Sequence, residues 1–329
     1  MEYRTLGSSG VKVSQLGLGT MNFGGRTSEE DAHEIIHTAL DAGLNLIDTA
    51  DVYNKGASEE IVGRAIKDVR DDIVLATKFW AGMGEGPNDR GGSRYHIVRA
   101  CEDSLRRLDT DRIDLYQIHR PDKYTPIEET LRALDDLVNQ GKVLYIGTSS
   151  FPAWRHAEAR LIAEFKGLAG FTSEQPPYNI LDRYIDKFIL PYCQEHGIGV
   201  IPWSPLSAGW LTGKYRKGQE PPEGTRGAQK HWMVNLETDI GQQKLEQVEQ
   251  LIPLAEECGT SLVRFSLAWL MQRPGVTAPL IGPRTLEQAE DCLQALDVTL
   301  EQDVLEKVDE IVPPGTPGMA EGQYWPEPG

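Results

Sequence analysis

The chain has 329 residues, of which 40% are hydrophobic and 25% are charged, as in an ordinary globular protein. It has 33 lysines and arginines against 50 aspartates and glutamates, and the resulting net charge of −17 argues against nucleic acid and anionic membranes as partners. The four cysteines form no Cys-x-x-Cys motif, and no apolar run is long enough for a signal peptide or a membrane span. We therefore expect a cytoplasmic protein without a disulfide framework or a zinc ribbon.

Eight short apolar runs recur along the chain, and a loop and an amphipathic pattern follow most of them. The runs lie at residues 16–19, 46–48, 74–77, 115–118, 145–148, 171–174, 198–201 and 278–281. Most steps between runs suit one βαβ crossover of about 30 residues, so the pattern predicts eight parallel strands. The predicted fold is a single α/β domain over residues 1–329, a (β/α)8 TIM barrel with extra C-terminal helices. Residues 1–13 carry two short apolar runs around Gly7-Ser8-Ser9-Gly10, which predicts an N-terminal β-hairpin cap.

The amphipathic patterns predict the helices between these strands. In residues 28–42 the apolar residues have helical spacing, Ser28 is the expected N-cap, and Glu29 and Glu30 lie in the first turn. Similar patterns predict helices at residues 94–108, 127–139, 154–164, 182–196, 242–257 and 261–271.

A doubly wound sheet is the competing architecture. Its first strand should lead into Gly-x-Gly-x-x-Gly, the turn that approaches a dinucleotide. The segment Gly17-Leu18-Gly19-Thr20-Met21-Asn22 lacks the third glycine, and no other segment supplies the motif. The sequence therefore favours the barrel.

Two segments lack a regular pattern. A long loop covers about residues 205–232 and is rich in proline and glycine from Tyr215 to His231. A loop of this length inside a compact domain is usually functional. The tail at residues 313–329 is also rich in proline and glycine, and we expect it to cover an opening or to be mobile.

Residues with useful chemistry follow most of the predicted strands, and the carboxyl ends of barrel strands converge on one face. They are Asp48 and Tyr53, Lys78, His119, Ser149 and Ser150, Glu174 and Gln175, Trp203 and Ser204, and Gly282 and Arg284. Each alone has a structural interpretation, for example Asp48 as a turn residue or Lys78 as a solvated lysine. Their convergence predicts an active site instead.

Four of these residues suit the chemistry of a carbonyl group. A tyrosine with an ordinary pKa of about 10 is a poor proton donor near pH 7, and a neighbouring ammonium favours its phenolate. A buried lysine in turn needs a carboxylate, and a histidine orients a carbonyl oxygen. Asp48, Tyr53, Lys78 and His119 therefore predict carbonyl polarisation during the delivery of a hydride.

Several longer motifs occur in a fixed order. They are Leu6-Gly7-Ser8-Ser9-Gly10-Val11-Lys12-Val13-Ser14, Gly17-Leu18-Gly19-Thr20-Met21, Asp48-Thr49-Ala50-Asp51-Val52-Tyr53, Thr77-Lys78, Asp114-Leu115-Tyr116-Gln117-Ile118-His119, Gly141-Lys142-Val143, Trp203-Ser204-Pro205-Leu206 and Ile281-Gly282-Pro283-Arg284. With these motifs the chain resembles the aldo-keto reductases over nearly its whole length. It is most similar to a bacterial branch of sugar-type and general aldehyde reductases, with potassium-channel β subunits as more distant relatives.

The resemblance implies an NADP(H)-dependent oxidoreductase that reduces an aldehyde or ketone to an alcohol. It implies that Tyr53 is the general acid, Lys78 the partner that lowers its pKa, Asp48 the counter-ion of the lysine, and His119 the group that orients the carbonyl. Steroid double-bond reductases of the family carry glutamate at the position of His119, so the resemblance implies reduction of C=O and not of C=C. The substrate is expected to be a small carbonyl compound.

The resemblance also implies a set of cofactor contacts. Ser149, Ser150 and Gln175 correspond to the residues that hold the nicotinamide carboxamide, and Trp203 corresponds to the stacking residue. Many relatives have asparagine at position 150 and another at position 292, which is a cysteine here. The complete implied set is Gly19, Thr20, Met21, Asp48, Ser149, Ser150, Gln175, Trp203, Ser204, Leu206, Gly209, Lys214, Gly282, Arg284 and Gln288.

The substrate pocket and the activity leave alternatives. Met21, Tyr53, Trp80 and His119 are the expected pocket residues, and Trp232, Tyr324 and Trp325 are further aromatic candidates that ordinary packing explains equally well. A cofactor-binding regulatory subunit with slow turnover, like a potassium-channel β subunit, is the alternative function. A nucleotide-sugar ketoreductase is another.

One motif points to a different chemistry. His33-Glu34-Ile35-Ile36-His37 matches the His-Glu-x-x-His pattern of zinc proteases. The predicted helix at residues 28–42 lies on the outer ring of a barrel, away from the active face. We therefore expect His33 and His37 to be surface residues and the protein to need no metal.

Overall fold

Eight parallel strands form the centre of the molecule in the computed structural model, which describes residues 1–320 and Tyr324. In spatial order they are β10 (Leu280–Ile281), β3 (Gly17–Gly19), β4 (Leu46–Asp48), β5 (Val74–Phe79), β6 (Ile113–Ile118), β7 (Val143–Ser149), β8 (Phe171–Gln175) and β9 (Gly199–Val200). Each neighbouring pair is parallel, as Leu18 beside Ile47 and Leu115 beside Tyr145 show. All eight predicted strands are present.

Backbone hydrogen bonds join the two ends of this sheet. The Thr277 N–H donates to the Val200 carbonyl at 2.7 Å, and the Leu280 N–H donates to the Pro202 carbonyl at 2.8 Å. These bonds connect the last strand to β9, so the sheet curls into a ring with helices around it. The predicted (β/α)8 barrel is confirmed.

A β-hairpin closes the amino-terminal end of the barrel. Strands β1 (Tyr3–Thr5) and β2 (Lys12–Ser14) pair antiparallel, with Arg4 opposite Val13. Leu6 and Val13 are completely buried in an apolar cluster with side chains from the first residues of the barrel strands, such as Leu46. The predicted hairpin cap is confirmed, and it leaves the carboxyl ends of the strands as the open face.

Ten α-helices surround the ring within the described residues. They are α1 (Glu29–Asp41), α2 (Ala57–Ile66), α3 (Arg94–Leu108), α4 (Ile127–Asn139), α5 (Ala153–Lys166), α6 (Ile189–Glu195), α7 (Asp239–Glu257), α8 (Leu262–Met271), α9 (Leu286–Leu293) and α10 (Gln302–Ile311). Ser28 caps α1 as predicted, because its side chain accepts a hydrogen bond from the Asp31 N–H. The sequence patterns missed α2, α9 and α10. No described helix is long and apolar enough to cross a membrane.

The predicted helix at residues 182–196 was wrong in its first half. A short 3-10 turn at Tyr184–Asp186 comes first, and α6 begins only at Ile189. The Asp182 carboxylate accepts hydrogen bonds from the Gly318 N–H at 3.1 Å and the Tyr324 hydroxyl at 2.6 Å. The Arg183 N–H also donates to the Thr316 carbonyl at 2.7 Å, so both the side chain and the backbone of this segment bind residues near the C-terminus instead of forming a regular helix.

The hairpin loop offers a test of the cap. Gly7 has a φ of +57°, and a Cβ there would lie 2.5 Å from the Gly197 carbonyl oxygen and 2.6 Å from that of Thr172. Because an alanine would combine backbone strain with this overlap, we expect Gly7→Ala to lower the free energy of unfolding by about 1–3 kcal/mol or more. Thermal unfolding measures the effect. Gly10→Ala is the matched control, since nothing lies within 4 Å of its Cβ. Equal melting temperatures for both variants would contradict this account of the cap.

Candidate active site

A buried lysine stands at the centre of the open face. Lys78, near the end of β5, has no solvent exposure. Its Nζ lies 2.5 Å from Asp48 Oδ2, 2.8 Å from the Thr49 carbonyl oxygen and 3.2 Å from the Tyr53 hydroxyl. An ammonium has three protons, so these three contacts satisfy it. The structure thus brings together Asp48, Tyr53 and Lys78 as the sequence predicted.

The second oxygen of Asp48 is held by two amides. Gln117 Nε2 donates to Asp48 Oδ1 at 3.0 Å, and Gln175 Nε2 donates to the same atom at 2.8 Å. Gln175 Nε2 also lies 3.1 Å from Gln117 Oε1. Gln117 was not singled out from the sequence, although a polar residue inside the apolar run of β6 was an available signal. The two glutamines fix the orientation of the Asp48 carboxylate, and with it the position of the Lys78 ammonium.

Burial and charge act in opposite directions on the proton donor candidate. Burial raises the pKa of the Tyr53 hydroxyl above its ordinary value, and the Lys78 ammonium only partly opposes this effect. Burial alone would lower the pKa of Lys78, but Asp48 and Tyr53 outweigh it, so this pKa is raised. Lys78 thus acts on the pKa of Tyr53 in the predicted direction, but burial has the larger effect. Tyr53 remains a neutral phenol near pH 7, the form that has a proton to give.

His119 is the fourth predicted catalytic residue, and with Asp48, Tyr53 and Lys78 it forms the catalytic quartet. It follows β6 directly, and its ring meets the Tyr53 ring edge to face at a centroid distance of 5.9 Å. Burial first, and then the Lys78 and Arg120 cations, hold the pKa of His119 well below its ordinary range. The imidazole is therefore neutral, with an N–H to donate and no charge.

Arg120 is a site residue that the sequence analysis missed. Its guanidinium donates a hydrogen bond to Ser150 Oγ, and its Cζ lies 5.7 Å from the centre of the Trp203 ring. Trp203 Nε1 lies 3.4 Å from the same Ser150 oxygen. Its position directly after His119, at the carboxyl end of β6, was the sequence signal that could have identified it.

The backbone around the open face contains several strained positions. Non-glycine residues with positive φ include Trp80 (119°), Ser150 (58°), Ser204 (58°), Ser207 (50°) and Ala208 (56°), all in segments that follow barrel strands. Such conformations cost about 1–3 kcal/mol each and cluster at functional sites. Their grouping here supports the assignment of this face as the active one.

The remaining residues at the ends of β7 and β8 have different surroundings. Ser149 Oγ donates to the Gln175 carbonyl at 2.9 Å, so this serine links the two strand ends. Glu174 is buried and accepts hydrogen bonds from Thr148, His156 and the Phe151 N–H. Glu174 therefore connects the end of β8 to β7 and α5, and it makes no hydrogen bond with the catalytic quartet.

Residues after β3 form one side of the face. Gly19 ends the strand, and the buried Thr20 hydroxyl donates to the Asp48 carbonyl at 3.1 Å. Met21 is exposed at the rim, where its carbonyl accepts from Asn54 Nδ2. Thr20 thus supports the neighbouring strand end from below, while Met21 is accessible to a ligand.

The segment after β9 is folded by its own side chains. The Ala208 N–H donates to Ser204 Oγ at 3.0 Å, and the Gly209 N–H donates to the Leu206 carbonyl at 2.9 Å. Gly209 has a φ of +105°, and a Cβ there would lie 2.9 Å from Lys214 Nζ. Only glycine suits this turn, which keeps the lysine close to the loop.

Four cations gather beside this turn. Burial lowers the pKa of Lys214, and Arg284 and Arg226 lower it further. Burial, Arg26 and Arg284 likewise lower the pKa of Arg226. Within residues 1–320 and Tyr324, none of these four side chains has a carboxylate partner. Like charges held together without an anion make a site for a phosphate group. The sequence analysis named Lys214 and Arg284 and missed Arg26 and Arg226.

The end of β10 supplies the last predicted contacts. Gln288 Oε1 accepts a hydrogen bond from the Arg284 N–H at 3.0 Å, so Gln288 folds the turn that carries Arg284. Asn22 Nδ2 donates to the Gly282 carbonyl at 3.2 Å. Cys292, which the resemblance aligned with an adenine-facing asparagine, lies on α9, and its side chain is buried in the core.

Nearly the whole chain matches a known family. Residues 15–313 match the model of the Aldo/keto reductase family. The chain belongs to the aldo/keto reductase family. This identification agrees with the barrel and with the resemblance drawn from the motifs.

Relatives cover nearly the whole of this aldo/keto reductase. It is 40% identical over 324 residues to the "Uncharacterized oxidoreductase YrpG" of Bacillus subtilis, which spans 95% of this chain and 96% of the relative. It is 39% identical over 320 residues to a probable voltage-gated potassium channel subunit beta of Oryza sativa, with 95% and 97% coverage. A putative voltage-gated potassium channel subunit beta of Schizosaccharomyces pombe is 37% identical, with 94% and 93% coverage. The family and the first relative make this chain an oxidoreductase.

The aromatic pocket candidates fall in different places. Trp232 is half exposed and borders a cavity of about 470 Å³ that Trp210 and Lys244 also line. Tyr324 is buried, stacks on Tyr184 at 4.4 Å and donates its hydroxyl proton to Asp182. Tyr324 is therefore a packing residue that anchors the tail. Trp325 lies outside the described residues.

The zinc-protease motif lies away from the site. His33 and His37 are on α1, with His37 exposed and His33 partly so, and α1 packs against its neighbouring helices α2 and α9. Across residues 1–320 and Tyr324, no cluster of three or more histidine, cysteine, aspartate or glutamate side chains could hold a metal ion. Independence from metals stays a prediction.

The neutral state of His119 is testable. Because burial and two cations hold its pKa well below the ordinary value, the imidazole should stay neutral through the range in which an ordinary histidine titrates, around pH 6.5. An NMR titration of histidine side chains, with the His119 signal assigned through its loss in His119→Gln, should show no change over this range. A titration of that signal near pH 6.5 would contradict the prediction.

Proposed function

We propose that this aldo/keto reductase reduces an aldehyde or ketone to an alcohol with NADPH as the hydride donor. The observation that carries the proposal is the wholly buried Lys78 ammonium, which bridges Asp48 and the Tyr53 hydroxyl beside a neutral His119. A phenol, an ammonium and a neutral imidazole are the groups that protonate and orient a carbonyl oxygen.

Bound NADPH would supply the hydride to the carbonyl carbon. The four cations Arg26, Lys214, Arg226 and Arg284 fit its phosphate groups, since they carry positive charge without carboxylate partners. Trp203 offers an aromatic face at the open end, and Ser149, Ser150 and Gln175 offer polar groups for a carboxamide. Ser149 and Gln175 would have to exchange their present hydrogen bonds for such a contact.

The side chains of the protein manage the proton. Tyr53 gives its phenolic proton to the carbonyl oxygen as that oxygen gains negative charge. The phenolate that remains is stabilised by the Lys78 ammonium, and Asp48 keeps the ammonium in place. The neutral imidazole of His119 donates a hydrogen bond to the same carbonyl oxygen. A histidine at position 119 leaves room for the carbonyl carbon of an aldehyde or ketone to accept the hydride. This favours reduction of C=O over reduction of C=C.

Removal of one hydroxyl tests the proton donor. We expect Tyr53→Phe to lower kcat by about 10²–10⁴-fold, since the general acid is lost while the ring is kept. The affinity for NADPH, measured separately by fluorescence, should stay nearly unchanged. Tyr116→Phe is the matched control. Tyr116 is buried on β6 and its hydroxyl has no hydrogen-bond partner among the described residues, so its kcat should match that of the wild type.

A Tyr53→Phe enzyme with more than about a tenth of the wild-type kcat would show that the proton comes from another group. His119 would then be the next residue to replace. A similar loss in Tyr116→Phe would instead indicate a general packing defect.

The cation cluster predicts the choice of cofactor. We expect Arg284→Ala to weaken NADPH binding by about 1.5–3 kcal/mol, the range for a hydrogen bond to a charged group, with little change for NADH. Arg226→Ala should also weaken NADPH binding, because the Arg226 and Arg284 charges lie close enough to act on each other and would attract the same phosphate. Isothermal titration with both cofactors provides the measurement. Equal weakening for NADPH and NADH would show that Arg284 does not bind the additional phosphate.

A second function is supported by the relatives named as potassium channel β subunits. On this alternative, the protein would bind the cofactor and act as a slow sensor. Steady-state consumption of NADPH with simple aldehydes, dicarbonyls and nucleotide-linked keto-sugars separates the two functions. Fast turnover with any of them supports the reductase, whereas tight NADPH binding without turnover supports the regulatory subunit.

A further inference from the structure

A second cationic position lies apart from the phosphate cluster. Arg120 follows His119 directly, and both residues come immediately after β6. Its guanidinium is oriented toward Ser150 and the face of Trp203. Its charge acts on the ionisation of Tyr53 and His119, whereas Lys214 responds to Arg284 and Arg226, and Arg226 responds to Arg26 and Arg284. Arg120 therefore belongs to the end of the site where a carbonyl would bind.

Among residues 1–320 and Tyr324, Arg120 has no ion-pair partner, and the Glu174 carboxylate acts on it only from beyond ion-pair distance. Its hydrogen bond is to the neutral Ser150 hydroxyl. The buried Arg183, in contrast, pairs with Asp186 at 2.7 Å and with Asp309 at 2.9 Å. A partly buried cation without an anion is unfavourable, and burial accordingly lowers the pKa of the Arg120 guanidinium.

We propose that Arg120 binds an oxyanion of the substrate, so that the preferred substrate is an aldehyde or ketone with a carboxylate or phosphate a few atoms from its carbonyl. This inference rests on the proposed carbonyl reduction and specifies its substrate class. The planar guanidinium offers paired N–H donors that match either oxyanion. Ser150 Oγ accepts a hydrogen bond from this guanidinium and so fixes its orientation.

The charge of the whole chain makes such a residue necessary for an anionic substrate. With a net charge of −17, the protein repels anions at long range. A local cation in a partly buried position is screened little by salt and acts at short range. Arg120 would thus compensate for the global field at the point where the substrate docks.

Matched pairs of substrates test the proposal. Succinic semialdehyde is compared with butanal, and glyceraldehyde 3-phosphate with glyceraldehyde, by kcat/KM at saturating NADPH. We expect the wild type to prefer the charged member of at least one pair. Arg120→Met should reduce that preference by about 10- to 100-fold, the range for a lost charged hydrogen bond. Arg120→Lys should retain part of it, because a point charge remains without the planar donors. The pair that responds identifies the anion as a carboxylate or a phosphate.

Arg132→Gln is the control for net charge. Arg132 is exposed on α4 and pairs with Glu128 at 2.8 Å, one turn away on the same helix. Its removal changes the charge of the chain by the same amount as Arg120→Met. We expect the preference for the charged substrate to stay at the wild-type value in this variant.

Several results would overturn the inference. An equal loss on charged and neutral substrates in both Arg120 variants would make Arg120 a positioning residue for the catalytic groups. A large loss of NADPH affinity with an unchanged preference would assign it to the cofactor. If the wild type reduces neutral carbonyls well and shows no preference that depends on Arg120, this inference fails and the reductase stands. If the wild type reduces none of these carbonyls or the wider panel, the proposed reductase fails as well.

Discussion

The buried ammonium of Lys78 is the constraint on which the rest of the site depends. A charged group without solvent exposure is costly unless its partners are placed with good geometry. Asp48 supplies the opposite charge, and Gln117 and Gln175 fix the second oxygen of that carboxylate. The carboxyl ends of the four strands that carry these residues, β4, β5, β6 and β8, must therefore lie at the same level along the barrel axis. The Thr49 carbonyl and the Tyr53 hydroxyl are the other two contacts of the ammonium, so the buried charge also fixes the position of this hydroxyl.

Charge is arranged on two scales in this protein. The acidic chain as a whole opposes anionic ligands, whereas its described cations without carboxylate partners include those at the carboxyl ends of the strands. One group lies at Lys214, Arg226 and Arg284, and a single guanidinium lies at Arg120. The barrel makes this possible because loops from distant segments meet at one face. Strained residues such as Trp80 and Ser150 border the same face, where the surrounding structure holds them in place.

Much of the architecture could be predicted from local patterns. Apolar runs at regular intervals predicted all eight strands, because most strand residues are buried and form short, largely hydrophobic segments. Capping predicted the start of α1 at Ser28 correctly. Helix α2 was missed because its buried residues include Ser58, Glu59 and Gly63, which weaken the apolar pattern of a helix. The helix predicted from residue 182 failed because Asp182 binds the distant Gly318 and Tyr324, a contact that no local pattern reveals.

The sequence by itself determined which residues stand at the carboxyl ends of the strands, because strand order and spacing are local properties. Asp48, Tyr53 and Lys78 could be assigned in this way. Only the tertiary structure decided how their charges act on one another. Whether burial or the ammonium controls the pKa of Tyr53 depends on atoms from several segments, and burial prevails. The roles of Gln117 and Arg120 likewise depend on partners 30 to 69 residues away, which meet only when the barrel closes.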